Sequence, residues 1–115
     1  MGLVRGEIWL ADFGSAQGSE IGKIRPCVII QNDIGNLYSP TTIVAAVAST
    51  IKGKYQTNVF LPKEKSGLEK DSMVLCSSIQ TFSIEDRLIK KLGKIEDSSL
   101  LDEINTALEI SLGLN

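Results

Sequence analysis

Gly18-Ser19-Glu20-Ile21-Gly22-Lys23-Ile24-Arg25-Pro26-Cys27-Val28-Ile29-Ile30 carries a glycine-rich loop into an apolar strand, and that junction decides both the fold and the place to look for chemistry. The run Cys27-Val28-Ile29-Ile30 has no polar alternation, the pattern of a strand covered on both faces. Pro26 biases Arg25 towards extended backbone, so a loop over 14–24 gives way to a strand over 25–32. Arg25 therefore stands where a loop meets a rigid element. A guanidinium there offers five fixed donors and a permanent charge, which suits a phosphate or carboxylate better than an ammonium would. On the loop alone, an anion site and a surface Arg paired with Glu20 are equally good readings.

Working outward, Val4 to Phe13 alternates in parity, with Val4, Ile8 and Leu10 against Trp9, Ala11 and Phe13, and predicts a strand bent near Gly6. Asn32-Asp33-Ile34-Gly35-Asn36 reads as a turn, followed by a second continuous apolar strand over 41–49. A basic turn around Gly53, a short strand from Thr57 to Leu61 ended by Pro62, a charged loop over 63–70 and a strand over 71–81 come next. Asp86 to Leu92 reads as one helical turn and a short strand. Short strands separated by turn signals indicate a small antiparallel barrel or sandwich rather than βαβ units. Leu101, Ile104, Leu108 and Leu112 then recur along one helical face, with Asp97 or Ser98 as cap and Gly113 as stop. The fold class expected is mainly β (α+β), closed by a carboxy-terminal helix packed on the barrel.

At 115 residues and 43% hydrophobic, the chain holds one core, and residues 1–115 form a single domain. No apolar stretch approaches a membrane span and the amino terminus has no apolar leader segment, so a soluble cytoplasmic protein is expected. Cys27 and Cys76 lie in apolar runs without Cys or His neighbours and read as buried free thiols rather than a zinc site or disulfide. Histidine is absent, which removes the Ser-His-Asp triad and His-ligated metal sites, and leaves catalysis to carboxylates, hydroxyls, Arg or Lys. The formal charge is −2, yet residues 96–115 carry five acids and no base. The window 21–63 is locally basic, with Lys23, Arg25, Lys52, Lys54 and Lys63 against Asp33 alone. A groove of that sign holds a polyanion whatever the global charge, because screening confines the field to about 10 Å.

Taken together, Arg5-Gly6-Glu7-Ile8-Trp9, Gly18-Ser19-Glu20 before Arg25-Pro26, Ile30-Gln31-Asn32-Asp33-Ile34-Gly35-Asn36 and Ile110-Ser111-Leu112-Gly113-Leu114 resemble the MazF/PemK toxin family over almost the whole chain. The likeness is greatest to MazF-like toxins of Gram-positive bacteria. It implies an SH3-like barrel, a homodimer, and a ribosome-independent endoribonuclease that cuts single-stranded mRNA at short specific sequences. It also implies a cognate antitoxin with a disordered acidic tail, and neither a cofactor, a metal nor a DNA substrate. Cleavage would run by attack of the ribose 2'-hydroxyl on the adjacent phosphorus, leaving a 2',3'-cyclic phosphate and a 5'-hydroxyl.

By position Arg25 matches the family's catalytic Arg and would hold the nonbridging oxygens as charge develops. Glu20 is the candidate to orient Arg25 or to accept the 2'-hydroxyl proton. Ser19, Lys23, Asn32, Asp33, Thr50, Lys52, Ser77 and Ser78 are the RNA contacts that the resemblance and the basic window suggest. The chain departs from the family at Ala48, where a catalytic Thr is expected. Ser49 or Thr50 supplies the hydroxyl instead, or activity is weakened, or the chain was altered there to be tolerable to its host. Strand alternation would aim Ser49 away from the site unless a bulge or strand end re-aims it. A second departure, short hydroxyls at Ser77 and Ser78 where relatives carry an acid and an amide, implies a different preferred cleavage sequence. Two other classes stay open: a non-cleaving module that binds RNA or antitoxin, and a topoisomerase-poisoning toxin of the CcdB type.

Overall fold

A computed structural model of the chain describes residues 2–18, 21–49 and 55–114. Its strands are β1 (Glu7–Asp12), β2 (Ile24–Ile29), β3 (Thr41–Ala48), β4 (Asn58–Leu61), β5 (Ser72–Ser83) and β6 (Leu88–Lys94). Helices α1 (Asp33–Tyr38), α2 (Ile84–Arg87) and α3 (Ser98–Leu112) complete it. The strands form one antiparallel sheet in the order β4-β5-β3-β2-β1-β6. Although β4 and β6 end that order, the chain just beyond β4 touches β6: Gly67 lies on the Leu92 and Gly93 backbone, and a Cβ at Gly93 would strike the Ser66 carbonyl. Only glycine at 93 permits that approach. The sheet is thereby rolled into the expected barrel.

Cys27–Ile29 of β2 and 43–48 of β3 are apolar without interruption because both faces of the sheet are covered there. One face sends Ile8, Val28, Ala45, Val47 and Val74 into a core capped by Leu100, Ile104 and Ala107 of α3. The other sends Ala11, Cys27, Ile29, Val44 and Ala46 into a second cluster with Phe13 and Phe82, whose rings meet edge to face at 4.8 Å. Cys27 and Cys76 are both buried and free, and burial pushes their thiols up to about 12 and about 11.

Three sequence expectations change. The single core expected is two clusters, one on each face of the sheet, because a strand covered on both sides buries alternate side chains in opposite directions. The segment read as a turn at 32–36 is the start of α1: Asn32 caps it by accepting from the Gly35 N–H at 2.7 Å. The buried Asn36 then ties it to Thr42 and Gln31 at 2.8 and 3.1 Å. Turn formers and N-cap residues are the same residue types, so the pattern alone does not separate them. In α3 the cap is Asp97 and the stop is Gly113, as expected, but the buried face centres on Leu100, Ile104 and Ala107 while Leu112 is exposed. Among the described residues, no helix is long and apolar enough to cross a membrane.

Candidate functional site

An open groove of about 720 Å³ lies where the start of β2 meets the end of β3, and it gathers Arg25, Lys23, Ala48 and Ser49. Its apolar wall includes Leu10, Ile24, Pro26, Val47 and Leu92, and its far rim is Gly67–Lys70 with Ser72. Leu92 reaches it through a bulge in β6, where the partner register jumps from Gly93 to Lys91.

Arg25 is fixed at one end of its guanidinium. Its Nε donates to the Gly22 carbonyl at 2.9 Å, and among the described residues its Nη groups have no hydrogen-bond partner. Gly22 holds that carbonyl in place because it is packed against Ala16, whose backbone N would stand 2.5 Å from a Cβ at position 22. The loop is clamped at its base by the Phe13 N–H on the Lys23 carbonyl at 2.9 Å and the Lys23 N–H on the Gly14 carbonyl. Lys23 pays for this closure with a left-handed backbone, φ 72°. Arg87 buttresses the same base, donating to the Asp12 carbonyl at 3.3 Å while its guanidinium stacks over Phe82.

β2 and β3 pair Cys27 with Ala46. Carrying that register two residues further sets Arg25 opposite Ala48, the position where the sequence lacks the expected Thr. Ser49 follows the end of β3, is exposed, and lines the same groove. The alternation that would turn a mid-strand residue away no longer binds at a strand end.

Not every candidate residue converges here. Ser19, Glu20, Thr50 and Lys52 lie outside the described residues. Asn32 and Asp33 do not line the groove; Asn32 caps α1 and the Asp33 carboxylate accepts from the Arg5 N–H at 2.7 Å. Ser77 and Ser78 sit at a bulge in β5, between Leu75, which pairs with Ala46, and Ile79, which pairs with Ala45. They too lie outside the groove. Conversely, Glu69 and Lys70 line it although the sequence reading did not single them out. They stand more than forty residues beyond Arg25, and the pairing of β3 with β5 together with the seat of Gly67 on β6 brings them near; their one signal was membership of a charged loop.

Residues 4–112 match the family described as PemK-like, MazF-like toxin of type II toxin-antitoxin system. The chain is 50% identical over 112 residues to the endoribonuclease MazF of Staphylococcus epidermidis, covering 96% of this chain and 92% of that protein. The endoribonuclease MazF of Staphylococcus saprophyticus matches to the same extent. A mycobacterial endoribonuclease solved with its cognate antitoxin superposes with a TM-score of 0.82 at 23% identity, covering 99% of this chain and 98% of that one. MazF from Deinococcus radiodurans gives 0.81 at 23% identity, covering 96% of each. At that identity the two structures share the fold.

Proposed function

This chain belongs to the PemK-like, MazF-like toxin family and is an endoribonuclease of a toxin-antitoxin system, and we propose that it cuts single-stranded RNA by attack of a ribose 2'-hydroxyl on the adjacent phosphorus. The 2'-oxygen bonds to phosphorus, the bond to the 5'-oxygen breaks, and the products are a 2',3'-cyclic phosphate and a 5'-hydroxyl. The proton leaves the 2'-hydroxyl for a base, for which Glu20 is the candidate, and the departing 5'-oxygen takes one up. No metal takes part in this scheme.

The observation that carries the reading is the half-tethered Arg25. With Nε held by Gly22, the fork of Nη donors is oriented before substrate arrives, so little reorganisation is needed as charge builds on the nonbridging oxygens. Such a guanidinium, a cation with five N–H donors and no acceptor, is a clamp and not a base. Ser49, across the same groove, is the hydroxyl donor that stands in for the side chain Ala48 lacks.

Lys23 and Arg25 give the groove a positive wall that suits an RNA strand or the acidic tail of an antitoxin, and the two would compete for it. A homodimer is supported by α1, which leaves Ile34, Leu37 and Tyr38 exposed side by side; light scattering on the purified protein checks it.

The test is cleavage of a single-stranded transcript, with chelator present, beside a copy carrying 2'-deoxy substitutions throughout. Cutting of the ribose strand alone is expected, and Arg25→Ala abolishes it with the fold intact. Cutting of the deoxy copy would refute the 2'-hydroxyl mechanism. Ala48 opposite Arg25 also favours a second reading, a barrel that binds RNA without turnover; binding without cleavage is its signature.

A further inference from the structure

The groove's far rim is built as firmly as the Arg25 loop. Gly67 is seated on the β6 backbone, and the Leu68 N–H donates to the Ser66 hydroxyl at 3.0 Å. The Lys63 N–H donates to the Asp71 carboxylate at 2.9 Å, and the buried Ser72 donates its hydroxyl to the Lys70 carbonyl at 3.1 Å. The backbone at Lys70 is thus pinned on both sides while its side chain is exposed and lines the groove facing β2 and β3. Lys65 and Lys91 are engaged with Asp97 and Glu7, and of the lysines on this side of the barrel it is Lys70 that lines the groove. Lys70 has no carboxylate partner among the described residues. An ammonium on an anchored backbone, with no carboxylate partner among the described residues and on the rim of a groove that also holds Arg25, is suited to a second anionic group of the ligand that Arg25 binds.

Resting on the endoribonuclease reading above, we infer that Lys70 binds a phosphate of the RNA strand other than the one Arg25 clamps, so that the substrate is held from both rims of the groove. Lys70 is a substrate-binding residue and makes no contact with the reacting atoms. Its neighbour Glu69 lines the same rim and is the one carboxylate among the lining residues. It sets a limit on where the phosphate chain runs, because a phosphodiester passing close to it would be repelled.

The experiment compares the wild-type protein with Lys70→Ala and Lys70→Arg, using a fluorescent 2'-O-methyl RNA oligonucleotide that cannot be cut through the 2'-position. Affinity is measured over a range of salt. Lys70→Ala is expected to weaken binding several-fold and to flatten the plot of log affinity against log salt by about 0.7, the loss of one phosphate contact on a single strand. Lys70→Arg is expected to keep the slope. On a cleavable strand Lys70→Ala raises KM and spares kcat. If wild type binds the oligonucleotide but Lys70→Ala shows the same affinity and slope, the inference fails while the enzymatic reading stands. If Lys70→Ala weakens only the binding of an oligoglutamate peptide, the site belongs to a protein partner and the inference is overturned. If the wild-type protein does not bind the RNA at low salt, the RNA reading itself falls and takes the inference with it.

Discussion

Replacing Gly22 by Ala tests the claim that Arg25 works because its loop presents it. A Cβ at position 22 would lie 2.5 Å from the Ala16 backbone N, 2.8 Å from its Cβ and 2.9 Å from its Cα, against an ordinary contact of 3.4–4 Å. Two of those three atoms are backbone, so no rotamer change relieves the clash and the loop must retreat by roughly 1 Å. The Gly22 carbonyl moves with it, and the 2.9 Å bond to Arg25 Nε is lost or redirected. Misplacing a positioning contact by about 1 Å costs about 10²-fold in rate, or about 2.7 kcal/mol of barrier. Gly22 is buried and Ile21 packs against the second cluster, so the melting temperature should fall while the transition stays cooperative. Single-turnover cleavage should show kcat down about 10²-fold with KM little changed, the pattern of an interaction used in the transition state. Adding Ala16→Gly should recover little, since it removes the contact at 2.8 Å and leaves the backbone contacts at 2.5 and 2.9 Å. A folded Gly22→Ala protein with wild-type kcat would refute the argument that this loop orients the guanidinium.

Ser49→Ala is expected to lower kcat several-fold, less than the about 10²-fold that follows removal of a fully engaged donor to a developing oxyanion, and Ala48→Thr in the same molecule to restore at least the wild-type rate; an unchanged Ser49→Ala rate would show that this hydroxyl is not used. Lys23→Gly relieves a left-handed backbone worth roughly 1 kcal/mol while adding about as much unfolded-state entropy. Its melting temperature should therefore hold within a few degrees while its RNA affinity falls, as anisotropy would report. Asp97 has its carboxyl held well below the usual carboxylate range, first by the bond from Lys65 and then by Ser99 and the Leu100 N–H. A depressed folded pKa means that its contribution is present above the unfolded value of about 3.9 and fades as pH falls below it. Asp97→Ala should melt earlier than wild type at pH 7, and the gap should close as pH drops below about 4 in a thermal melt series.

What the sequence displays depends on how local the cause is. The strands at Cys27–Ile29 and Val44–Val47 are legible because burial on both faces leaves no polar residue to interrupt them. The ends of α3 are legible because Asp97 and Gly113 act on backbone within one turn of themselves. By contrast, α1 is six residues long, too short to hold itself, and is tied to the barrel by the Arg5 N–H on the Asp33 carboxylate, a contact between segments far apart in the chain that no local window reveals. The face of α3 turned inward is likewise chosen by the barrel: Leu112 follows the helical period but lies past the end of the surface that Leu100 and Ile104 cover. The charge of the groove shows the same division. Lys23 and Arg25 come from the basic window, while Lys70 arrives through strand pairing, a long-range event that composition does not record.

In the proposed mechanism, the junction of Arg25 with position 48 is what allows a hydroxyl one residue along to serve here where it would not elsewhere in the strand. In mid-β3, residues 44 and 46 belong to one core and 45 and 47 to the other, so moving a side chain by one position moves it through the sheet. At the end of β3 that constraint relaxes, and Ala48 and Ser49 both line the groove. The cost of the exchange falls on precision. A side chain at position 48 stands in register with Arg25 and is held by strand pairing, whereas Ser49 is exposed beyond the last paired residue and must give up more conformational freedom to reach the same phosphate. The expected consequence is an enzyme whose hydroxyl contact is made late and incompletely, with Ala48→Thr alone raising kcat and leaving KM unaltered.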